Sequence, residues 1–109
     1  MPEHLHTDKE LLRLISAGDE TAFRSFFHNW QGRLFHYIST IIKSPQVAEE
    51  IVMDVFTKCW LGRELLPRIE HVEAFMFRVA HHRAIDCLRA ASRSPQVVDL
   101  LWETIETAD

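Results

Sequence analysis

Helix-start signals divide this chain into segments, and within each segment apolar residues recur at steps of three and four. That spacing places them on one face of an α-helix and does not fit the alternation of a strand. Thr7-Asp8-Lys9-Glu10 forms a capping box, in which the Thr side chain and the Glu three residues later satisfy each other's backbone donors. Leu11, Leu12 and Ile15 follow as a short stripe, and Gly18 can stop it. Asp19 then caps a second helix carrying Ala22, Phe23, Phe26, Phe27, Trp30, Leu34, Tyr37, Ile38, Ile41 and Ile42, with Gly32 as a weak point inside it. Ser44-Pro45 starts a third helix, because Ser caps free N–H groups and Pro suits the first helical position. Val47, Ala48, Ile51, Val52, Val55, Phe56 and Trp60 carry it to about Gly62. The interval 62–70 contains Pro67 and loses its periodicity, so a loop with at most one turn is expected. A fourth helix is predicted from Val72 to Ser92, with Val72, Phe75, Met76, Val79, Ala80, Ala84, Cys87, Leu88 and Ala91 inward. Ser94-Pro95 repeats the capping chemistry of Ser44-Pro45 ahead of a last short helix holding Val97, Val98, Leu101, Trp102 and Ile105.

The expected fold is therefore all-α, a compact bundle of three main helices with short flanking ones. Its 109 residues suffice for one domain. Eleven aromatic residues against three Gly and four Pro supply the bulk that a small core needs. No apolar run approaches the roughly 20 residues of a membrane-spanning helix, and the first residues lack a secretory pattern, so a cytoplasmic location is expected. Cys59 and Cys87 lie inside apolar helical patterns, which reads as reduced thiols and not as a disulfide framework.

Charge is unevenly placed. The net −4 falls wholly on residues 94–109, where Asp99, Glu103, Glu106 and Asp109 have no basic counterpart. Residues 44–60 carry Glu49, Glu50 and Asp54 against Lys58, whereas 72–93 carry Arg78, Arg83, Arg89 and Arg93 against Glu73 and Asp86. Two successive segments of opposite sign point to two different partner surfaces. Glu50 and Asp54, four apart, share a helical face with Glu49 and Met53 beside them, a strip suited to basic residues of a partner or to plain solvation. From Phe75 to Arg89 aromatic and basic residues interleave, which suits stacking on bases and holding phosphates, or a core helix with solvated arginines. Phe75 and Phe77 point in nearly opposite directions on a helix, so one of them is expected to be exposed. Seven histidines give a metal site little support, because adjacent pairs such as His81-His82 diverge and His28 and His36 are two turns apart. Asp86 near His82 has no Ser or Cys nucleophile set beside it, so neither catalysis nor a cofactor is expected.

Taken in order, the capped helix, Gly-Asp-x-x-Ala-Phe at 18–23, Ala-Glu-Glu-Ile-x-x-Asp-Val-Phe-x-x-x-Trp at 48–60 and Phe-x-Phe-Arg-Val-Ala-x-x-x-Ala-Ile-Asp-x-Leu-Arg at 75–89 resemble one family. Residues 7–93 are similar to the N-terminal, region-two domain of extracytoplasmic-function (ECF) sigma factors of bacterial RNA polymerase. The resemblance implies a non-enzymatic initiation factor that docks on core polymerase and melts the promoter minus-ten element. By this likeness, Glu49, Glu50, Met53 and Asp54 would meet the clamp helices of the largest polymerase subunit. Arg78, His81, His82, Arg83 and Arg89, with Phe75 and with Arg63 and Arg68 of the preceding loop, would hold the non-template strand, one base flipped into a loop pocket. Extrusion costs a few kcal/mol, which stacking of about 1 to 3 kcal/mol per base can offset.

The chain departs from the family at Met53-Asp54, where Gln-Glu is usual, and at His81-His82, where Arg-Asn is usual. Residues 94–109 resemble the acidic start of a linker to the family's second, helix-turn-helix domain, and anti-sigma factors are a further partner that the likeness implies. On the residues alone, a helical protein-interaction module without a DNA role stays open, as does a small helical metal protein.

Overall fold

Thr7 starts the first helix as its sequence predicts. Its hydroxyl accepts from Glu10 N at 3.1 Å, and its own N–H donates to Glu10 Oε1 at 2.7 Å. The computed structural model describes residues 6–91, in which four α-helices and one 3-10 helix follow each other: α1 (Asp8–Ser16), α2 (Glu20–Ser39), α3 (Pro45–Leu61), the 3-10 helix (Arg63–Arg68) and α4 (Val72–Ala91). Ser94-Pro95, the expected last helix and the acidic linker lie outside the described residues.

The boundaries are set chemically. Gly18 adopts φ +94°, a left-handed conformation open to Gly, and the Asp19 carboxylate then accepts from Ala22 N at 3.1 Å to begin α2. Ser44 Oγ accepts from Val47 N at 3.3 Å, with Pro45 in the first turn of α3. Gly32 does not interrupt α2. Its roughly 1 kcal/mol helix penalty is outweighed by Trp30 and Leu34 on either side, both essentially buried and each contributing about 1.5–3 kcal/mol.

α2 is the axis of the bundle, packing against α1, α3 and α4, while α3 and α4 also pack on each other. Its row Ala22, Phe26, Trp30, Leu34 and Ile38 is buried throughout. Phe56 of α3 meets Phe26 edge-on, and the Trp30 indole N–H donates to Asp8 Oδ2 at 3.1 Å, which ties α1 to the core. Beyond that indole, no polar or charged residue is buried among the described residues.

Three expectations change. The 62–70 interval holds a six-residue 3-10 helix, anchored by buried Leu66 and by Arg63 Nη1 donating to Trp60 O at 2.9 Å. Its three-residue period leaves no α-helical signature in the sequence, and Pro67, which lacks a donor, disguises it further. In α4 neither Phe75 nor Phe77 is exposed. α4 sits in the angle between α2 and α3, so its two flanks are both covered: Phe77 meets Trp30 and Tyr37 of α2, and Phe75 turns toward α3 and the 3-10 helix. Ala91, expected inward, is exposed.

Candidate functional site

The acidic strip of α3 is a ridge with two different flanks. On the α2 side, Glu49 and Met53 border an apolar groove, and on the α4 side Glu50 and Asp54 border a shallower crevice. The groove begins among Glu20, Phe23, Arg24, Phe27, Met53 and Trp60, where it encloses about 430 Å³, and continues past Phe27 and Met53 to Gly32 and Phe35. Its walls are rigid aromatic contacts, with Phe27 and Phe56 ring centroids 4.8 Å apart and Phe23 and Trp60 5.1 Å apart. Met53 stands 51% exposed beside it, a flexible apolar side chain.

Phe23, Phe27 and Trp60 were expected in the core, yet they are half-buried and line this groove. The signal for them was available: Phe23 and Phe27 form a second row at a four-residue step beside the buried row of α2, more apolar width than one packed face uses.

α4 presents the opposite chemistry. Arg78, His82, Ile85 and Arg89, at steps of four, three and four, fall on its outward face, and all but Ile85 are exposed. The other predicted strand-holding residues are directed elsewhere. Tyr37 and His81 share a hydrogen bond of 2.9 Å between the hydroxyl and Nδ1, which draws His81 to α2. Arg83 turns to α3, its Nη2 2.6 Å from Asp54 Oδ2. That close ion pair is not aligned as a hydrogen bond, and Arg83 Nε is buried with no acceptor among the described residues. Phe75 lines a crevice of about 280 Å³ with Cys59, Gly62, Leu65, Leu66, Ile69 and Val79, and Lys58 stands at its edge. Burial there pushes the Cys59 thiol up to about 11. Arg63 stacks on Trp60, its guanidinium 4.4 Å from the ring centroid, while Arg68 is exposed at the end of the 3-10 helix.

On the flank between α2 and α4, Arg33 lies 4.0 Å above the Trp30 ring and pairs with Glu73 at 2.7 Å. His82 and Asp86 line one shallow crevice with Arg89. Among the described residues no three His, Cys, Asp or Glu side chains come together as metal ligands, and no helix is long and apolar enough to cross a membrane.

The bundle thus carries an acidic ridge on α3 and a basic face on α4. Residues 26–94 match the family model for Sigma-70 region 2, and the chain belongs to that family. It is 27% identical over 81 residues to the ECF RNA polymerase sigma factor SigK of Mycolicibacterium vanbaalenii, covering 73% of this chain and 41% of that one. The protein of the same name from Mycobacterium sp. strain KMS is 24% identical over 87 residues, covering 79% of this chain and 45% of the relative. That from Mycobacterium bovis is 23% identical over 97 residues, covering 87% and 52%. The chain spans about half the length of the curated relatives it matches. No solved structure matches it.

Proposed function

We propose that this chain is the polymerase-docking and promoter-opening domain of an ECF sigma factor. The observation that carries the reading is the Sigma-70 region 2 match over 26–94, because that span takes in α3, the 3-10 helix and α4, the elements bearing both candidate faces. The ridge of Glu49, Glu50, Met53 and Asp54 docks on basic and apolar residues of the polymerase clamp helices, with the α2–α3 groove receiving apolar side chains. Arg78, His82 and Arg89 take phosphates of the melted minus-ten strand, and Arg63 and Arg68 extend that track past the Phe75 crevice, where an unstacked base is sheltered. The domain binds and positions; polymerase performs the chemistry, in the cytoplasm. An anti-sigma factor would act by covering either face.

The test is co-purification with core RNA polymerase. Glu49 and Glu50 are exposed and make no hydrogen bond or ion pair among the described residues, so Glu49→Lys with Glu50→Lys should keep the fold while reversing the ridge's sign. Retention of the wild type and its loss in the variant at moderate salt is expected, since opposed charges across an interface cost several kcal/mol. Failure of the wild type to be retained at low salt removes the polymerase partnership and leaves an interaction module without it.

A further inference from the structure

The Asp54–Arg83 pair joins the two candidate faces. Asp54 belongs to the ridge on α3, and Arg83 belongs to α4, where the family resemblance expects it to face the strand. Each had been expected to meet its own external partner, and in the structure they meet each other.

The pair is poorly committed. It rests on one close oxygen–nitrogen approach, where an arginine and a carboxylate can make two parallel hydrogen bonds, and Arg83 Nε finds no acceptor among the described residues. Both side chains are more than a third exposed, although the paired Asp54 Oδ2 and Arg83 Nε are themselves covered, so water and competing ions reach the pair from its solvent side. Glu50 and Asp86 line the same crevice as the pair, so three carboxylates share it with one arginine. An arriving cation is attracted to this crevice, and it competes with Arg83 for Asp54.

We propose that this ion pair is an exchangeable latch: a basic side chain of the docked polymerase takes Asp54, and the Arg83 guanidinium is freed to swing outward onto a phosphate of single-stranded DNA. The inference rests on the proposed function. In the free domain Arg83 is sequestered, and its charge is spent on α3. In the complex it joins Arg78, His82 and Arg89. The coupling is reciprocal, so whatever docking gains from DNA, DNA binding gains from docking.

The latch makes a prediction that simple charge addition does not. Arg83→Gln removes the internal competitor and should bind core polymerase about two- to fivefold tighter than the wild-type 109-residue chain, the range that an exposed ion pair allows. Lys43→Gln deletes the same charge from a lysine that pairs with no acid among the described residues, and should leave docking unchanged. In the polymerase complex, Arg83→Gln should weaken binding of a fluorescent single-stranded oligothymidylate and lower its salt slope by about 0.7, one phosphate contact. Should Arg83→Gln fail to fold, Arg83→Met keeps the aliphatic stem and removes only the head. The latch is overturned if Arg83 variants dock no tighter than wild type, if Lys43→Gln tightens docking equally, or if the DNA affinity of the complex ignores Arg83. A wild-type chain that polymerase does not retain, or a complex that ignores the oligonucleotide, overturns instead the proposed function, and the latch with it.

Discussion

Cys59 and Cys87 are two thiols in two environments. Cys59 is buried between α3 and the crevice beneath Phe75, and burial disfavours its thiolate, raising its pKa from 9.0 to about 11. Cys87, on the α4 flank, is only partly covered. Labelling with a thiol reagent at pH 8 should therefore modify Cys87 first and leave Cys59 until the protein unfolds, which peptide mass mapping will read. The same shift carries a sign for stability. A folded-state pKa above the unfolded one leaves stability unaffected below pH 9 and removes it as pH climbs from 9 toward 11. Two units correspond to at most about 2–3 kcal/mol, and Cys59→Ala should flatten that part of the alkaline melting profile relative to wild type.

Among the elements, two glycines invite opposite substitutions. Gly18 holds φ +94° at the turn between α1 and α2, so Gly18→Ala forces a side chain into a left-handed conformation and should cost about 1 kcal/mol in denaturant unfolding. Gly32 is helical, with open space where a Cβ would stand, so Gly32→Ala should stabilise by about 0.5–1 kcal/mol. α1 has an acid sensitivity of its own. Glu10 is held below its ordinary value of 4.5, first by its hydrogen bond to the Thr7 backbone and then by neighbouring His6 and the Thr7 side chain. A lowered carboxyl pKa contributes stability above 4.5 that disappears as pH falls through the lowered value, so α1 should loosen first in acid. Glu10→Gln should lose that acid step, whereas Thr7→Ala should cost about 1 kcal/mol of cap and keep most of the step, because the Thr7 backbone N–H that holds Glu10 remains, a comparison that circular dichroism can make. The helix starts were legible because Thr7, Asp19 and Ser44 act locally, through bonds spanning three residues. The 3-10 helix was not, because its bonds impose no helical period that an α-helix reader recognises.

At the scale of the whole molecule, the four-helix order and the sign of each face were readable, whereas the direction of single side chains on α4 was not. Phe75, His81 and Arg83 are placed by what α3, the 3-10 helix and α2 hold opposite them, and that depends on how elements separated in the chain come to lie. The same division predicts the ionic behaviour of the protein. Strand binding that relies on Arg78 and Arg89 should weaken linearly in logarithmic salt, and Arg78→Ala should lower the slope by about 0.7 while weakening all sequences alike. Fluorescence anisotropy in the polymerase complex at stepped salt concentrations will show it.

Trp60 stands half-buried on the wall of the α2–α3 groove, while Trp30 is sealed in the core with its indole N–H fixed to Asp8. Nature has thus supplied an optical gauge for occupancy. In a Trp102→Phe background the emission of Trp30 stays constant and that of Trp60 reports the polarity of the groove. A partner that fills the groove with apolar side chains should shift the spectrum to the blue, and one that binds only the α4 stripe, clear of the Arg63 stacked on Trp60, should leave its colour unchanged.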